Sequence, residues 1–182
     1  LLPTTAIGSE LLTPDKTDTN SLWLTEKLNE IGVEVKLKTV VGDDEARLEE
    51  TIRDAVKRSN VVITTGGLGP TEDDITRKIS ARALDRQLVF EEELLEDLRE
   101  RFLAYGYEMP EKNRSQAYII EGASILPNPN GSAVGMLAEF DRKYLVVLPG
   151  PPREMKPMFR DHILPMLRES AGKISVKRKT LP

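Results

Sequence analysis

The sequence predicts an α/β protein, with three α/β/α layers built around a mostly parallel sheet, and three observations support this. Segments with the period of a strand alternate with segments with the period of a helix over the first half of the chain. Residues 61–64 form a continuous β-branched run, which is typical of a central strand covered on both faces. A glycine-rich segment follows that run directly. A chain that alternates strand and helix in this way favours parallel strands with helices on both faces of the sheet.

The elements are assigned in chain order from the spacing of apolar residues and from helix start and stop signals. The first half contains, in order, a strand at 4–8, a helix at 20–31, a strand at 33–41, a helix opened by Asp43 and Asp44, the strand at 61–64, and a helix carrying Ile75, Ile79 and Ala83. The second half contains a helix at 91–105, a hairpin of strands at 134–140 and 143–148, and a helix near 153–159. We expect residues 1–170 to form one domain, and residues 171–182 to be a linker or the first strand of a following, truncated domain.

Composition and charge exclude several classes of protein. Hydrophobic residues make up 39% of the chain and charged residues 31%, a balance that supports a packed core. No apolar run approaches the roughly 20 residues that span a bilayer, and the N-terminus has no basic region before an apolar one. We therefore expect a cytoplasmic protein with no membrane partner. The net charge of −4, without a long basic run, argues against duplex nucleic acid as a partner.

The chain has no cysteine and a single histidine, His162. These counts exclude a cysteine nucleophile, a thiolate metal site and a histidine-rich zinc site. Carboxylates, amides and backbone groups are therefore the groups with which this chain would bind a metal or a ligand.

A glycine-rich loop at residues 65–70 follows the predicted central strand and leads toward a helix. Gly66, Gly67 and Gly69 let a ligand approach the main chain closely, and free N–H groups at a helix start favour an anion. The loop lacks the Gly-Lys-Ser/Thr of a P-loop, and Glu72 stands where a dinucleotide fingerprint has its third glycine. The loop predicts a site for a phosphate-bearing small molecule, and a tight turn that serves only packing is the alternative.

Two groups of carboxylates flank this loop. Residues 72–74 are all acidic and follow it directly, whereas Asp43 and Asp44 follow what we take as the neighbouring strand and are expected at the same edge of the sheet. Such oxygen ligands beside phosphates suit Mg²⁺, which needs only one or two carboxylates. However, Thr71 and Asp74 also match a capping box, and acids are favourable in the first turn of a helix. The choice between helix cap and metal ligand stays open on spacing alone.

Other polar segments fall at the same predicted edge. They are Ser9 and Glu10 after the first strand, Asn130, Gly131 and Ser132 before a later one, and Pro149 and Gly150 after the last. All are candidates for substrate binding. For the segments at 130–132 and 149–150, ordinary turn chemistry explains the same residue types.

Taken together, these segments resemble a known family. The motifs that carry the resemblance are AIGSELL at 6–12, DTN at 18–20, VGDD at 41–44, TGGLGPTEDD at 65–74, NR at 113–114, QA at 116–117, LPNP at 126–129, GSA at 131–133 and LPGPP at 148–152. In this order and spacing they resemble the N-terminal domain of the competence/damage-inducible protein CinA family, which belongs to the wider molybdopterin-binding superfamily. The resemblance covers nearly the whole chain.

The resemblance implies a three-layer α/β domain that handles nucleotide or pterin phosphates at the glycine loop. In the CinA family this domain is associated with metal-dependent ADP-ribose pyrophosphatase activity, and a similar domain of eukaryotic FAD synthases with FAD hydrolysis. The wider superfamily binds molybdopterin and can activate it by adenylylation. Many CinA-type proteins carry a further C-terminal domain that deamidates nicotinamide mononucleotide, and we do not carry that activity over, because this chain ends before that region. Residues 13–16 depart from the more apolar, glycine-containing stretch of the family.

The resulting expectation is a hydrolase that cleaves the diphosphate bond of ADP-ribose or a related nucleotide diphosphate. The glycine loop would hold a phosphate, and Asp43 and Asp74 would position a divalent metal, Mg²⁺ in the first place and Mn²⁺ or Co²⁺ as alternatives. The motif match adds Asn20 to the candidates for substrate binding. The alternative from a different class is a non-catalytic or regulatory module that binds molybdopterin or a nucleotide. We expect a homo-oligomer in either case.

Overall fold

The computed structural model describes residues 2–7, as a strand, and residues 18–170. Its elements are β1 (Leu2–Ile7), α1 (Thr19–Glu30), β2 (Val35–Val41), α2 (Glu45–Arg58), β3 (Val61–Thr65), α3 (Thr76–Ala83), β4 (Leu88–Phe90), α4 (Glu92–Ala104), a 3₁₀ helix (Glu111–Ala117), β5 (Tyr118–Ile120), β6 (Ser124–Leu126), β7 (Gly135–Phe140), β8 (Lys143–Leu148) and α5 (Pro152–Met158). The predicted sites at Ser9 and Glu10, and the predicted linker at 171–182, lie outside the described residues.

The main sheet has six strands in the order β2-β1-β3-β8-β7-β6. The first four run parallel to one another, and β7 and β6 continue the sheet in antiparallel fashion. Strands β4 and β5 pair separately as a short antiparallel ribbon. The predicted α/β fold with a mostly parallel sheet is therefore confirmed.

Helices cover both faces of this sheet, and each face has its own apolar cluster. On one face, Leu48 and Ile52 of α2 and Ile79 of α3 pack with Val62 of the central strand. On the other face, α1, α5 and the continuation of α5 pack against the alternate residues of the same strands. Strand β3 is buried along its whole length, as its β-branched composition predicts for a strand with helices on both sides. No helix in the described part of the chain is long and apolar enough to cross a membrane.

The helix predicted near 153–159 is longer in the structure. Helix α5 continues through a π-helical turn, Phe159–Ile163, into a helical segment at 164–170. Pro157 and Pro165 lie on either side of this turn, and the N–H of Leu164 donates to the carbonyl of Phe159. Proline lacks the N–H of an α-helical ladder, and a π turn is one way for a helix to accommodate such a gap.

Candidate functional site

One pocket lies at the edge of the sheet where the parallel strands β3 and β8 end, and it has a volume of about 310 Å³. The residues that line it are Gly66, Gly67, Leu68, Gly69, Pro70, Asp74, Gln116, Ser132, Ala133, Pro149, Gly150, Pro151 and Glu154. Ligands of open α/β sheets bind at this edge, in the crevice beyond the carboxyl ends of the strands. Seven of the residues predicted from the sequence are in this lining: Gly66, Gly67, Gly69, Asp74, Ser132, Pro149 and Gly150.

The glycine loop requires glycine for two separate reasons. Gly66 and Gly67 have φ angles of 97° and 66°, which side-chain-bearing residues rarely adopt. Gly66 also donates its N–H to the carbonyl of Leu148 at 2.9 Å, and a Cβ on Gly150 would lie 3.3 Å from the Cα of Gly66. The loops after β3 and β8 thus meet glycine against glycine, and together they form one wall of the pocket.

From the sequence we expected the glycine loop to lead into a helix. In the structure a turn separates the two. Helix α3 begins at Thr76, and residues 71–75 form an intervening turn. The N–H of Thr76 donates to the carbonyl of Gly67 at 3.1 Å, so this donor at the start of α3 is already used. The N–H of Thr76 is therefore not free to contact a ligand.

Asp74 closes this intervening turn. Its Oδ2 accepts hydrogen bonds from the N–H of Thr71 at 2.9 Å and from the Thr71 hydroxyl at 2.5 Å. The residue that precedes α3 is Ile75, whose side chain makes no capping bond. Of the capping-box alternative, the bond from the Thr71 N–H to Asp74 is present, but it lies in the turn before α3 and not at the helix start. The Asp74 carboxylate also packs against Gly69, where a Cβ would overlap Oδ2. The glycine at 69 therefore makes room for a carboxylate inside the glycine loop.

The two acids after β2 behave differently. Strand β1 lies between β2 and β3, so β2 is not the neighbour of the central strand that we assumed from the sequence. Asp44 caps α2, with its side chain accepting from the N–H of Arg47 at 2.7 Å. Asp43 is exposed and is not part of the pocket lining. The helix-cap interpretation thus holds for Asp44, and the role of Asp43 as a metal ligand stays a prediction.

The second carboxylate in the lining is Glu154, which the sequence analysis missed. It lies in the first turn of α5, is only 8% exposed, and accepts a hydrogen bond from Asn128 Nδ2 at 2.8 Å through Oε2. Its carboxylate packs against Gly131, where a Cβ would overlap it. Gly131 does not line the pocket, but its lack of a side chain leaves space for the Glu154 carboxylate that does. The signal in the sequence was a glutamate two residues after the Pro-Gly-Pro-Pro segment, which follows the last strand.

Two other predicted residues hold loops and do not line the pocket. Asn20, at the start of α1, donates through Nδ2 to the carbonyl of Gly150 at 2.6 Å and so ties that loop to the helix. The side-chain oxygen of Asn20 is buried without a hydrogen-bond partner among the described residues. Asn130 donates through Nδ2 to the carbonyl of Arg153 at 2.8 Å. Both residues are positioned to fix the pocket walls.

A polar network contacts the glycine loop, and the sequence analysis did not predict it. Arg77 donates through Nη2 to the carbonyl of Leu68 at 2.9 Å, and Gln116 Nε2 approaches the same oxygen at 3.4 Å. Asn113 Nδ2 donates in turn to Gln116 Oε1 at 2.9 Å. Burial lowers the pKa of the Arg77 guanidinium to about 10, and the nearby Asp74 carboxylate opposes this shift.

Comparison with known proteins gives the family. Residues 4–169 match the family model described as probable molybdopterin binding domain. The chain belongs to this family. Among curated relatives, a CinA-like protein of Solibacter usitatus is 54% identical over 89% of this chain and 39% of its own length. A putative competence-damage inducible protein of Clostridium tetani is 44% identical over 90% of this chain and 40% of its own length. The chain thus spans about two fifths of the length of these relatives, and the predicted resemblance to the CinA family is confirmed.

Solved structures agree with this assignment. The protein CinA of Thermoplasma acidophilum, described as of unknown function, is 28% identical with a TM-score of 0.81, over 88% of this chain and 94% of that one. A molybdopterin biosynthesis protein of Mycobacterium abscessus is 20% identical with a TM-score of 0.59, over 97% of this chain and 98% of that one. This second likeness concerns the fold alone.

Proposed function

We propose that the pocket binds ADP-ribose or a related nucleotide diphosphate and hydrolyses its diphosphate bond with the help of a divalent metal. The observation that carries the proposal is the contact of Asp74 with Gly69, because it brings an acidic side chain and a phosphate-binding loop into one cavity. The family description as a probable molybdopterin binding domain supports a phosphate-bearing ligand, because molybdopterin carries a phosphate.

The donor set fits a metal that is shared with the substrate. Among the described residues there is no cluster of three or more carboxylate, histidine or cysteine side chains that could hold a metal alone. Asp74 and Glu154 both line the pocket, and each has one oxygen fixed by neighbouring donors. Mg²⁺ is usually held by one or two carboxylates, several waters and substrate phosphates, so two pocket carboxylates suffice.

In this proposal the chain binds the diphosphate and the metal, and it orients the attacking water. The N–H groups of residues 67–69 would hold one phosphate, because the N–H of Gly66 already donates to Leu148, and Asp74 and Glu154 would hold the cation against the diphosphate. A divalent metal, when bound, offsets the charge of the diphosphate and lowers the pKa of the attacking water. The attacking water gives its proton to solvent and its oxygen bonds to one phosphorus, the P–O bond of the anhydride breaks, and AMP and ribose 5-phosphate leave. Activated water is the preferred nucleophile, because the sequence has no cysteine and His162 is exposed on the helix that follows α5.

The direct experiment is incubation of the purified protein with ADP-ribose and Mg²⁺, Mn²⁺ or Co²⁺, with AMP measured as the product. We expect AMP release that needs metal and stops on chelation. Folded protein that releases no AMP with any of the three metals would overturn the proposal. A chelated sample, otherwise identical, is the matched control.

The second candidate is a binding or regulatory module, which the family description as a molybdopterin binding domain favours. Such a module needs the glycine loop but has no need for carboxylates that hold a metal. Calorimetry against ADP-ribose, AMP and molybdopterin, with and without metal, separates the two. Tight binding that is independent of metal and is followed by no turnover would favour the module.

The cellular location follows from the proposed substrates. ADP-ribose and related nucleotides are metabolites of the cytoplasm, and the chain carries no cysteine that would benefit from an oxidising compartment. We therefore propose that the protein works in the cytoplasm. Cell fractionation with an antibody against the native protein tests this, and recovery in a secreted fraction would contradict it.

A further inference from the structure

Arg77 is a buried cation that forms no ion pair with a described residue, and the Asp74 carboxylate acts on its charge only through space. The residue is 4% exposed, and its guanidinium donates from Nη2 to the carbonyl of Leu68. Its Nε is buried without a hydrogen-bond partner among the described residues. A guanidinium has five N–H donors. Burying its charge without a partner costs roughly several kcal/mol, because the charged group loses its hydration. Such a residue therefore needs a function that offsets this cost.

Arg77 lies next to the pocket and contacts one of its walls. Arg77 does not line the pocket itself, but Leu68, whose carbonyl it holds, lies in the middle of the pocket-lining loop. A carbonyl oxygen that faced the pocket would repel a phosphate. Arg77, which is outside the lining, and Gln116, which is part of it, both donate toward this oxygen and fix its direction. The loop can then present its N–H groups, and not this oxygen, to a bound anion.

We propose that Arg77 is a positioning residue that makes this pocket favour anionic ligands. It fixes the Leu68 carbonyl, and its buried charge attracts an anion across the glycine loop. The inference rests on the proposed function, because it specifies the charge of the ligand that the same pocket takes. Buried charges are screened little by salt, so this attraction persists at ionic strengths that weaken surface charges.

A purely structural role for Arg77 would need only the hydrogen bond to Leu68. Arg77→Gln keeps a side-chain donor that can reach that carbonyl but removes the charge, whereas Arg77→Lys keeps the charge. Lys78, the next residue on α3, is exposed and pairs with Glu45 on the surface. Lys78→Gln removes one positive charge from the same helix and is the matched control.

The experiment is calorimetric titration of each full-length variant with inorganic pyrophosphate in the absence of metal. Arg77→Gln is expected to weaken binding about tenfold, Arg77→Lys to stay within about threefold of the native protein, and Lys78→Gln within about twofold. Circular dichroism checks that each variant is folded. Native affinity in folded Arg77→Gln, or loss of affinity in folded Arg77→Lys, would overturn the proposal.

The native protein gives a second measurement that does not depend on any variant. Its affinity for pyrophosphate should fall less than about threefold between roughly 0.1 M and 0.5 M NaCl, because the charge is buried. A steep fall with salt, or no binding of pyrophosphate at all, would overturn the role of Arg77. If pyrophosphate binding depends on Arg77 but ADP-ribose yields no AMP, only the proposed hydrolysis is contradicted. If Arg77→Gln hydrolyses ADP-ribose and binds pyrophosphate with native affinity, only the role of Arg77 is contradicted.

Discussion

Gly69 and Gly131 show how single residues build this pocket. Each lies against a carboxylate, Asp74 in one case and Glu154 in the other, at a distance that leaves no room for a Cβ. Neither glycine has a left-handed backbone conformation, so the requirement for glycine here is steric and not conformational. The two carboxylates therefore take their positions from glycines that belong to different loops.

We predict that Gly69→Ala displaces the Asp74 carboxylate and breaks its bonds to Thr71. The overlap would cost about 1–3 kcal/mol of unfolding free energy, as overpacking usually does. AMP release per folded molecule should fall at least about tenfold, since a misplaced metal ligand misplaces the reacting groups. Denaturant unfolding and the hydrolysis assay measure the two effects separately.

Gly32→Ala is the control for this substitution. Gly32 ends α1 with a φ of 76°, and a Cβ there would meet nothing within 4 Å. Alanine at this position strains the backbone by about 1 kcal/mol without touching the pocket. AMP release per folded molecule should then remain native. Native activity in Gly69→Ala would show that the contact between residue 69 and Asp74 has no part in the function.

At the residue scale, the residues predicted from the sequence belong to glycine- and proline-containing loops at strand ends, whereas the residues that were missed act through contacts with those loops. The glycine loop and Asp74 are contiguous in the chain, and both were found. Glu154 and Arg77 were missed because their roles depend on contacts with Gly131 and with the Leu68 carbonyl, which only the folded chain creates. An arginine in a helix is normally exposed, and spacing alone gave no reason to bury Arg77.

At the element scale, the order of the strands decided the outcome for Asp43. Alternating strands and helices predict parallel pairing, but they do not give the order of strands in the sheet. The chain places β1 between β2 and β3, so the acids after β2 follow a strand two positions from the central loop. Strands β4, β5 and β6 were missed for another reason, since three residues are too few to show a period.

Arg53 of α2 connects this helix to the end of α3. Its guanidinium donates to the carbonyls of Arg82 and Ala83 at the end of α3, and to the carboxylates of Glu49 and Asp85. Arg53→Met should therefore lower the free energy of unfolding by about 1–2 kcal/mol, because the last carbonyls of α3 lose both donors and a favourable charge. Urea unfolding at neutral pH measures the loss.

Acid provides a check on the same contact. Hydrogen bonding with Arg53 holds the pKa of Asp85 below its usual value of 3.8. Because the folded pKa is lowered, this stabilisation is present above the unfolded value and is lost as the pH falls through the folded one. The difference between native protein and Arg53→Met should then shrink below about pH 4. Arg58→Met, which removes an exposed arginine of the same helix, should change stability by less than about 0.5 kcal/mol, and an equal loss in both variants would refute the assignment.

At the scale of the whole molecule, we predict a homo-oligomer. Related domains commonly associate, and β2 is an edge strand that exposes Leu37 and Val40 to solvent. Open edge strands with apolar side chains favour association. Light scattering should give a multiple of the 20.4 kDa chain mass. A single species at the chain mass, even at high protein concentration, would contradict the prediction.

The fold as a whole was predicted well, because patterns of apolar residues specify layers. The two apolar clusters lie on opposite faces of β3, as a fully β-branched central strand requires. The pocket is the less predictable part, since its walls come from loops after β3 and β8 and from segments near 116, 132 and 154. Only the packing of these loops brings them together.

The central claim is that Asp74 holds a metal in a phosphate-binding pocket, and Asp74→Asn tests it most directly. Asparagine keeps an oxygen that can accept from Thr71, so a residue that only closes the turn would lose at most about 0.5–2 kcal/mol of stability and no activity per folded molecule. A metal ligand would lose roughly 3–4 kcal/mol of transition-state stabilisation.

The measurement is metal-dependent AMP release from ADP-ribose by folded Asp74→Asn, beside Asp73→Asn, whose side chain is exposed one residue away. Two further variants in the same assay test the second metal ligand. Asp43→Asn tests the ligand predicted from the sequence, and Glu154→Gln tests the carboxylate that lines the pocket. We expect a fall of orders of magnitude for Asp74→Asn and near-native release for Asp73→Asn. Equal, small effects of both substitutions would contradict the metal site.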